Sequence, residues 1–261
     1  MTMTDPDRDD LFWVLALAPP LIARLYGDGM EAALQRLLLL ALALGIAYGW
    51  AALFARRMGR PKGPGLPAFA MIFVVMLPGP VGWGAAVLAL SFGAVFGREI
   101  FGGKAILPPA LIGLAFAIFS FPEGGFEARD ILAQSPDPLL AVSCLPGAAV
   151  LVLRGVLAWQ VALGAMIGAG SAAFLMGDSA WWGHFDLGAF AAGVLFLAAS
   201  PEGVVAGKGA RWLHGLLVGG LIVVIRMANP DQPDGIVFAA LLGGLFAPLL
   251  DRALNWRPDH G

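Results

Sequence analysis

The chain is a row of apolar stretches separated by short polar connections, and that pattern most restricts what it can fold into. The stretches run roughly Leu11–Tyr26, Ala33–Ala55, Leu66–Leu77, Val81–Gly97, Pro108–Phe121, Pro146–Trp159, Val161–Gly177, Leu187–Ala199, Trp212–Ala228 and Gly235–Leu250. A membrane-spanning helix needs about 20 apolar residues, so a chain of 261 residues has room for roughly eight to ten spans and little else. Charged residues make up 13% of the sequence, about half the share usual in soluble domains. These features exclude an ordinary soluble globule, a disordered chain, and a nucleic-acid binder with a basic face. The expected fold is all-α: a polytopic transmembrane bundle of about ten helices forming a single integral membrane domain. The lipid bilayer is its first partner, and nucleic acid is not one.

Charge placement supports the count. With the N-terminus in the cytoplasm and spans alternating, the cytoplasmic loops hold Arg56, Arg57, Arg60, Lys62, Arg98, Lys104, Lys208, Arg211, Arg252 and Arg257. The opposite loops hold Asp28, Glu31, Glu123, Glu127, Asp130, Asp137, Asp178, Asp186, Asp231 and Asp234, with Arg24, Arg129 and Arg226 as their nearby cations. Both termini are therefore expected in the cytoplasm. Trp13, Trp83, Trp159, Trp181, Trp182, Trp212 and Trp256 fall near span ends, where amphipathic rings anchor. The N-terminal MTMTDPDRDD is acidic and does not read as a secretory signal.

The glycines and prolines, 36 and 19 in number, show no collagen period. They read as helix breaks and close helix contacts. The pairs Gly93/Gly97, Gly164/Gly168 and Gly215/Gly219 each put two small residues on one helix face, and packing inside the bundle is the expected use. Two halves, about 1–125 and 146–261, are expected, joined by an outer loop over 122–145. Phe96–Ala117 and Val224–Ala247 each carry a cation, a Gly/Pro-rich break, and an apolar helix with an internal glycine.

Polar chemistry has few places to sit. Arg154 and Arg226 lie in or at the ends of apolar stretches, where a central arginine costs about 2.5–3.5 kcal/mol on insertion scales. Arg226 suits an interior polar site as well as an interfacial one, whereas Trp159 near Arg154 argues for an interface there. The segment Phe96–Pro109 is the most distinctive, because Gly102-Gly103 and Pro108-Pro109 interrupt the helix and free backbone groups. Broken helices can bind ions or anionic groups at their ends. The candidate binding residues are Arg98, Gly102, Gly103, Lys104, Arg226 and Asn229, serving a non-covalent flavin or an ion pathway. His184, His214 and His260 do not pair at one depth as an intramembrane haem requires. Cys144 is the single cysteine and cannot hold an iron–sulfur cluster, which takes about four thiolates. No metal site, catalytic triad, P-loop or dinucleotide fingerprint is present.

The string GREIFGGKAILPPALIGLAF (Gly97–Phe116) resembles a Gly-(Lys/Arg)-Glu-x-Phe-Gly-Gly…Asn-Pro-Ala-x-x-Gly block of a known family. RWLHGLLVGGLIVVIRMANPDQPDGIVFAALLGGLFAPLLD (Arg211–Asp251) resembles its C-terminal block, and FLAASPEGVVAGKGARW is similar to its Thr-Asp-Pro segment. The family contains the RnfD subunit of the Rnf ferredoxin:NAD oxidoreductase and the NqrB subunit of the sodium-translocating NADH:quinone oxidoreductase. The resemblance implies ten helices in two related halves, similar to urea and ammonium channel bundles, in a bacterial inner membrane. It also implies electron transfer coupled to cation (Na+ or H+) translocation, with other subunits of the complex as partners. Family members carry FMN as a phosphoester on a Thr in the outer loop. Here Thr occurs only at Thr2 and Thr4, and Ser135 and Ser143 are the loop's only hydroxyls. Covalent FMN is therefore not expected, while a non-covalent FMN or riboflavin stays open. Pro108 stands where the family has Asn, and Ala199-Ser200-Pro201 where it has Thr-Asp-Pro. The alternatives to a redox-complex subunit are a small-solute or ion channel or transporter on the same bundle, as a homo-oligomer without a redox cofactor, and a structural scaffold.

Overall fold

The structure is a computed structural model. It describes residues 6–60, 63–77, 81–121, 137–178, 185, 188–203, 205–228 and 235–254. Helix dominates these residues, and none of them forms a strand. The first helical stretch, Pro6–Met58, is broken at Gly29, whose φ of 77° and ψ of 170° no helix accommodates. It forms two arms, α1 (6–28) and α2 (30–58), which match the first two apolar stretches. The other helices are α3 (Leu66–Met76), α4 (Trp83–Gly97), α5 (Pro109–Ser120), α6 (Pro138–Leu153), α7 (Trp159–Leu175), α8 (Gly188–Ala198), α9 (Lys208–Ala228) and α10 (Gly235–Leu254). Five of these helical segments precede residues 122–136 and five follow.

The stretches Asp9–Met58, Trp83–Phe101, Lys208–Ala228 and Gly235–Leu254 are long and apolar enough to cross a membrane. Many large apolar side chains face outward, including Ile22, Leu38, Phe119, Leu153, Phe174 and Leu249. That is how a protein solvated by lipid is covered, and the chain is a multi-pass membrane protein. α3 and α8 are the shortest of these helices, 11 residues in the case of α3, and stand out by their burial. Ten of the eleven residues of α3 are buried, and α8 is buried along most of its length. Each is too short to cross by itself, so each ends inside the bundle.

The helices around α3 and α8 approach closely through glycine. α1 meets α6 at Gly147, where an added β-carbon would lie 2.0 Å from the Ala16 carbonyl oxygen. α4 meets α5 through Gly93 and Gly97 against Pro109 and Gly113. α7 meets α9 through Gly164 and Gly168 against Trp212, Gly215 and Leu216. All three small-residue pairs of the sequence thus pack inside the chain, as expected. On α2, Leu39, Ala43, Ala47 and Ala51 are buried at every fourth position, and on α7 Val161, Ala165, Ala169 and Ala173 repeat that stripe.

Two expectations need correction. The outer segment 122–145 is not loop throughout, because α6 already begins at Pro138. Asp137 caps it, its side chain accepting from the Leu140 N–H at 2.9 Å. Trp13 is not an interfacial ring; it is 6% exposed and meets Phe196 edge-on at 6.3 Å. The break at Asn229-Pro230 lies outside the described residues. Cys144 sits on the buried face of α6 with 0% exposure. A thiol reagent is therefore expected to leave it unmodified in mild detergent and to label one thiol per chain after denaturation, as read by intact mass.

Candidate functional site

The helix break after α4 builds a buried polar cluster. Arg98 leaves the helix with φ −149°, and a 3₁₀ turn, Glu99–Phe101, follows. Gly102 and Gly103 then take left-handed φ values of 76° and 81°, which glycine adopts without a β-carbon clash. The turn is closed by Gly102 N–H to Glu99 O at 3.2 Å and Gly103 N–H to Arg98 O at 3.1 Å. Pro109 then opens α5 at its first position, where a missing N–H costs nothing.

This turn drives two charges inward. Arg98 is 4% exposed and Glu99 2%. Arg60, from the end of α2, donates through Nη2 to Glu99 Oε2 at 2.5 Å and to the Glu99 carbonyl at 3.3 Å. Arg98 donates through Nε to the Gly103 carbonyl at 3.3 Å, and its Nη1 lies 3.5 Å from Glu99 Oε1. Nη1 and Nη2 of Arg98 and Nε of Arg60 are buried without a hydrogen-bond acceptor. Bare backbone forms the walls. A β-carbon on Gly103 would stand 1.9 Å from Arg60 Nη1, and one on Gly63 would stand 2.7 Å from Arg98 Nη2. Asp10 and Glu202 are the other carboxylates close enough to act on Arg98. Asp10 accepts from the Gly65 N–H at 2.6 Å, and Glu202 accepts from the Ser200 hydroxyl. The segment after α8 therefore converges with the break after α4.

Of the expected site residues, Arg98 and Gly103 line this cluster. Gly102 shapes the turn but is exposed, as is Lys104. Arg226 does not join them. It is buried at 7%, but it lies 18 residues along α9 from Lys208, which starts near Glu202. At 1.5 Å per residue that is about 27 Å, the far end of the bundle. Asn229 lies outside the described residues. Arg154 is exposed, with its guanidinium carbon 4.0 Å from the Phe12 ring centroid. Replacing Glu99 by Gln leaves an acceptor for Arg60 but removes the anion shared by two guanidinium groups. A loss of about 2 kcal/mol is expected, the scale of a charge-assisted hydrogen bond, read as lower thermal stability in detergent.

The sequence reading missed Glu99 and a second cluster. Arg36, 4% exposed, pairs through two nitrogens with Asp28 at 2.5 and 3.0 Å. Its Nη1 donates to the carbonyls of Val74 and Leu77, each at 2.7 Å. Arg24 donates to the Val75 carbonyl at 3.1 Å and faces Asp137 at 3.5 Å. The two guanidinium groups thus cap the buried C-terminal end of α3, where carbonyls have no helical partner and the dipole is negative. An arginine three residues inside the stretch Ala33–Ala55 was the signal that could have found it.

Comparison with known proteins fits this framework. The NqrB subunit of the Na(+)-translocating NADH-quinone reductase of Pseudomonas aeruginosa (strain LESB58) is 30% identical over 251 residues, covering 77% of this chain and 62% of that protein. The same-named subunit of Chromohalobacter salexigens is 30% identical over 250 residues, covering 77% and 61%. That of Haemophilus influenzae (strain PittEE) is 28% identical over 255 residues, covering 77% and 62%. The chain thus spans about three fifths of the length of the relatives it matches. The profile of the NQR2, RnfD, RnfE family matches residues 5–135 and 137–258, nearly the whole chain, and the protein belongs to that family.

Proposed function

We propose that this chain is a membrane subunit of a multi-subunit redox complex that couples electron transfer to cation translocation across a bacterial inner membrane. Membership of the family supports the setting. The observation that carries the reading is the Arg60–Glu99–Arg98 cluster, built on the same Gly97–Phe116 block that carries the family resemblance. A buried guanidinium with two nitrogens lacking acceptors is an expensive feature in a membrane protein, and such groups mark functional positions.

Its chemistry suits an oxygen-rich group. The free nitrogens of Arg98 would accept a phosphate or a pyrimidine carbonyl of a flavin held without a covalent bond. A bound flavin would supply one-electron and two-electron transfer. The chain's own residues would hold and orient it: Glu99 fixes both guanidinium groups, and Gly63 and Gly103 let Arg98 and Arg60 pack against bare backbone. A covalent phosphoester is not part of the proposal. Ser143 spends its hydroxyl on the Leu140 carbonyl at 2.7 Å, and the loop has no threonine. In this reading the five-helix halves form an inverted pair, with Arg98 and Arg226 at corresponding positions near opposite faces.

Purification in mild detergent tests the reading. Co-purifying redox subunits, or a yellow chain whose flavin is released by acid precipitation, are expected. A colourless homo-oligomer that conducts a small solute in liposomes would sink it in favour of a channel. Flavin remaining on the acid-precipitated chain would overturn the non-covalent assignment.

A further inference from the structure

His214 lies on α9 inside the bundle, 1% exposed. Its ring is hydrogen-bonded to the Ala198 backbone, and its Nδ1 is buried without a hydrogen-bond partner. Nε2 therefore carries the hydrogen donated to the Ala198 carbonyl, and Nδ1 is a bare acceptor. On the other side α10 comes close through Gly243, where an added β-carbon would lie 3.4 Å from Cε1 and 3.5 Å from Nε2 of the ring. A β-carbon there would make ordinary van der Waals contact with the ring; the atom it would clash with is Val218 Cγ2, at 2.5 Å.

Ala198 is the last residue of the π-helical end of α8, Val194–Ala198. The turn is closed by Ala199 N–H to Val194 O at 2.9 Å. Such π turns recur at functional sites. The end of α8 is thus the counterpart of the end of α3. Both short helices stop inside the bundle with carbonyls facing a basic side chain. At α3 the charge is permanent, from Arg24 and Arg36. At α8 the cap is an imidazole, which can be neutral or cationic.

We propose that His214 is a proton-binding site of the bundle, taking a proton on Nδ1 and capping α8 as an imidazolium. Burial opposes the charge, while the negative end of α8 and Asp251 of α10 favour it. Asp251 acts on the ring while accepting from the N–H groups of Ala206 and Gly207 at 2.8 to 3.2 Å. The other charged groups at this end are Glu202, after α8, the Arg60–Glu99–Arg98 cluster it adjoins, Lys208 and Arg211 in the first turns of α9, and Arg252 in the last turn of α10. Arg211 donates through Nε to the Val205 carbonyl at 3.1 Å. α7 presents Val161 and Gly164 to α9, and the neighbouring Gln160 of α7 has a buried Oε1 acceptor without a donor. Two buried acceptors lacking donors, Nδ1 of His214 and this Oε1, therefore stand on α9 and α7. One proton on Nδ1 turns the first into a donor.

The test keeps His214 native. Substituting His184→Asn and His260→Asn leaves it the sole histidine of a chain that has three. Nitrogen-15 spectra of the labelled ring are followed in detergent from about pH 4 to 8, reaching below the window in which a free imidazole changes charge because burial disfavours the cation, with helicity measured in parallel. The expected result is a reversible change of Nδ1 from acceptor to protonated nitrogen while helicity is constant. An Nδ1 that stays bare, or stays protonated, across the window in the folded protein overturns the proposal. This result is independent of the redox reading: a titrating His214 in a chain that binds neither flavin nor redox subunits would keep this inference and sink the other.

Discussion

Gly219→Ala is expected to destabilise the bundle by about 2 kcal/mol, while Gly220→Ala, one residue on, is expected to leave it unchanged or about 0.5 kcal/mol more stable. The added β-carbon at 219 would lie 1.9 Å from the Ala165 carbonyl oxygen and 2.7 Å from its carbon. These are backbone atoms of α7, so no side chain can rotate away and α9 must move off its neighbour. Membrane bundles hold together chiefly through close van der Waals packing, with no hydrophobic drive between helices. Lost contact along α7 and α9 is therefore not recovered elsewhere. At Gly220 a β-carbon meets nothing within 4 Å, and alanine only improves helix propensity. Thermal unfolding of both variants in one detergent separates the cases. Equal losses at the two positions would refute the assigned interface.

Arg36→Met should cost more, about 3–5 kcal/mol, the range for breaking a buried ion pair from one side. Methionine fills similar volume, so the loss isolates charge and hydrogen bonding. Asp28, with 10% of its side chain exposed, would keep a buried charge without its two-nitrogen partner. The carbonyls of Val74 and Leu77 would lose their shared donor. Arg36→Lys should recover only part of the loss, because an ammonium cannot span a carboxylate and two carbonyls in a fixed plane. Adding Asp28→Asn to Arg36→Met should recover some stability by removing the orphaned charge. If the double variant is no more stable than the single one, the ion pair is not the source of the loss. Loss of activity without loss of stability in Arg36→Met would instead assign the cluster to function.

Much of the architecture was legible from periodicity and spacing. The apolar stretch Leu66–Leu77 became α3 with almost the same bounds; that stretch and Leu187–Ala199 are short for a membrane crossing, and packing decided that both helices stop inside. The glycine pairs announced close contacts because a small residue four positions on lies on the same helix face. The break at Gly102-Gly103 was readable because both residues favour conformations that end a helix. Pro138–Leu145 was misread as loop because composition there is mixed. Its helix start depends on a proline at the first turn and the Asp137 cap, signals that hydropathy does not weigh.

The candidate site was legible only in part, and Arg98 against Glu99 shows why. The sequence placed both beside a helix break, and a charge beside a break ordinarily faces water. Burial of Glu99 requires Arg60, 39 positions earlier, to arrive from the end of α2. Arg98 and Arg226 are both candidate binding residues in the sequence although charge placement puts them on opposite sides, and α9 indeed carries Arg226 to the far end of the bundle. Arg24, Arg36, Asp28 and Asp137 looked like loop charges and a stray cation until α1, α2 and α6 folded around α3.

Local chemistry was enough to establish a lipid-facing all-α bundle, the helix breaks, and the small-residue faces. Those properties follow from backbone hydrogen bonding in an apolar solvent and from side-chain spacing along one helix, and both are written residue by residue. Which glycine pair meets which helix, which charges share a dry pocket, and that one short helix ends on guanidinium groups and the other on an imidazole were settled by packing. Contacts between residues far apart in the chain depend on how helices dock. No periodicity within a single helix encodes the partner on the other side.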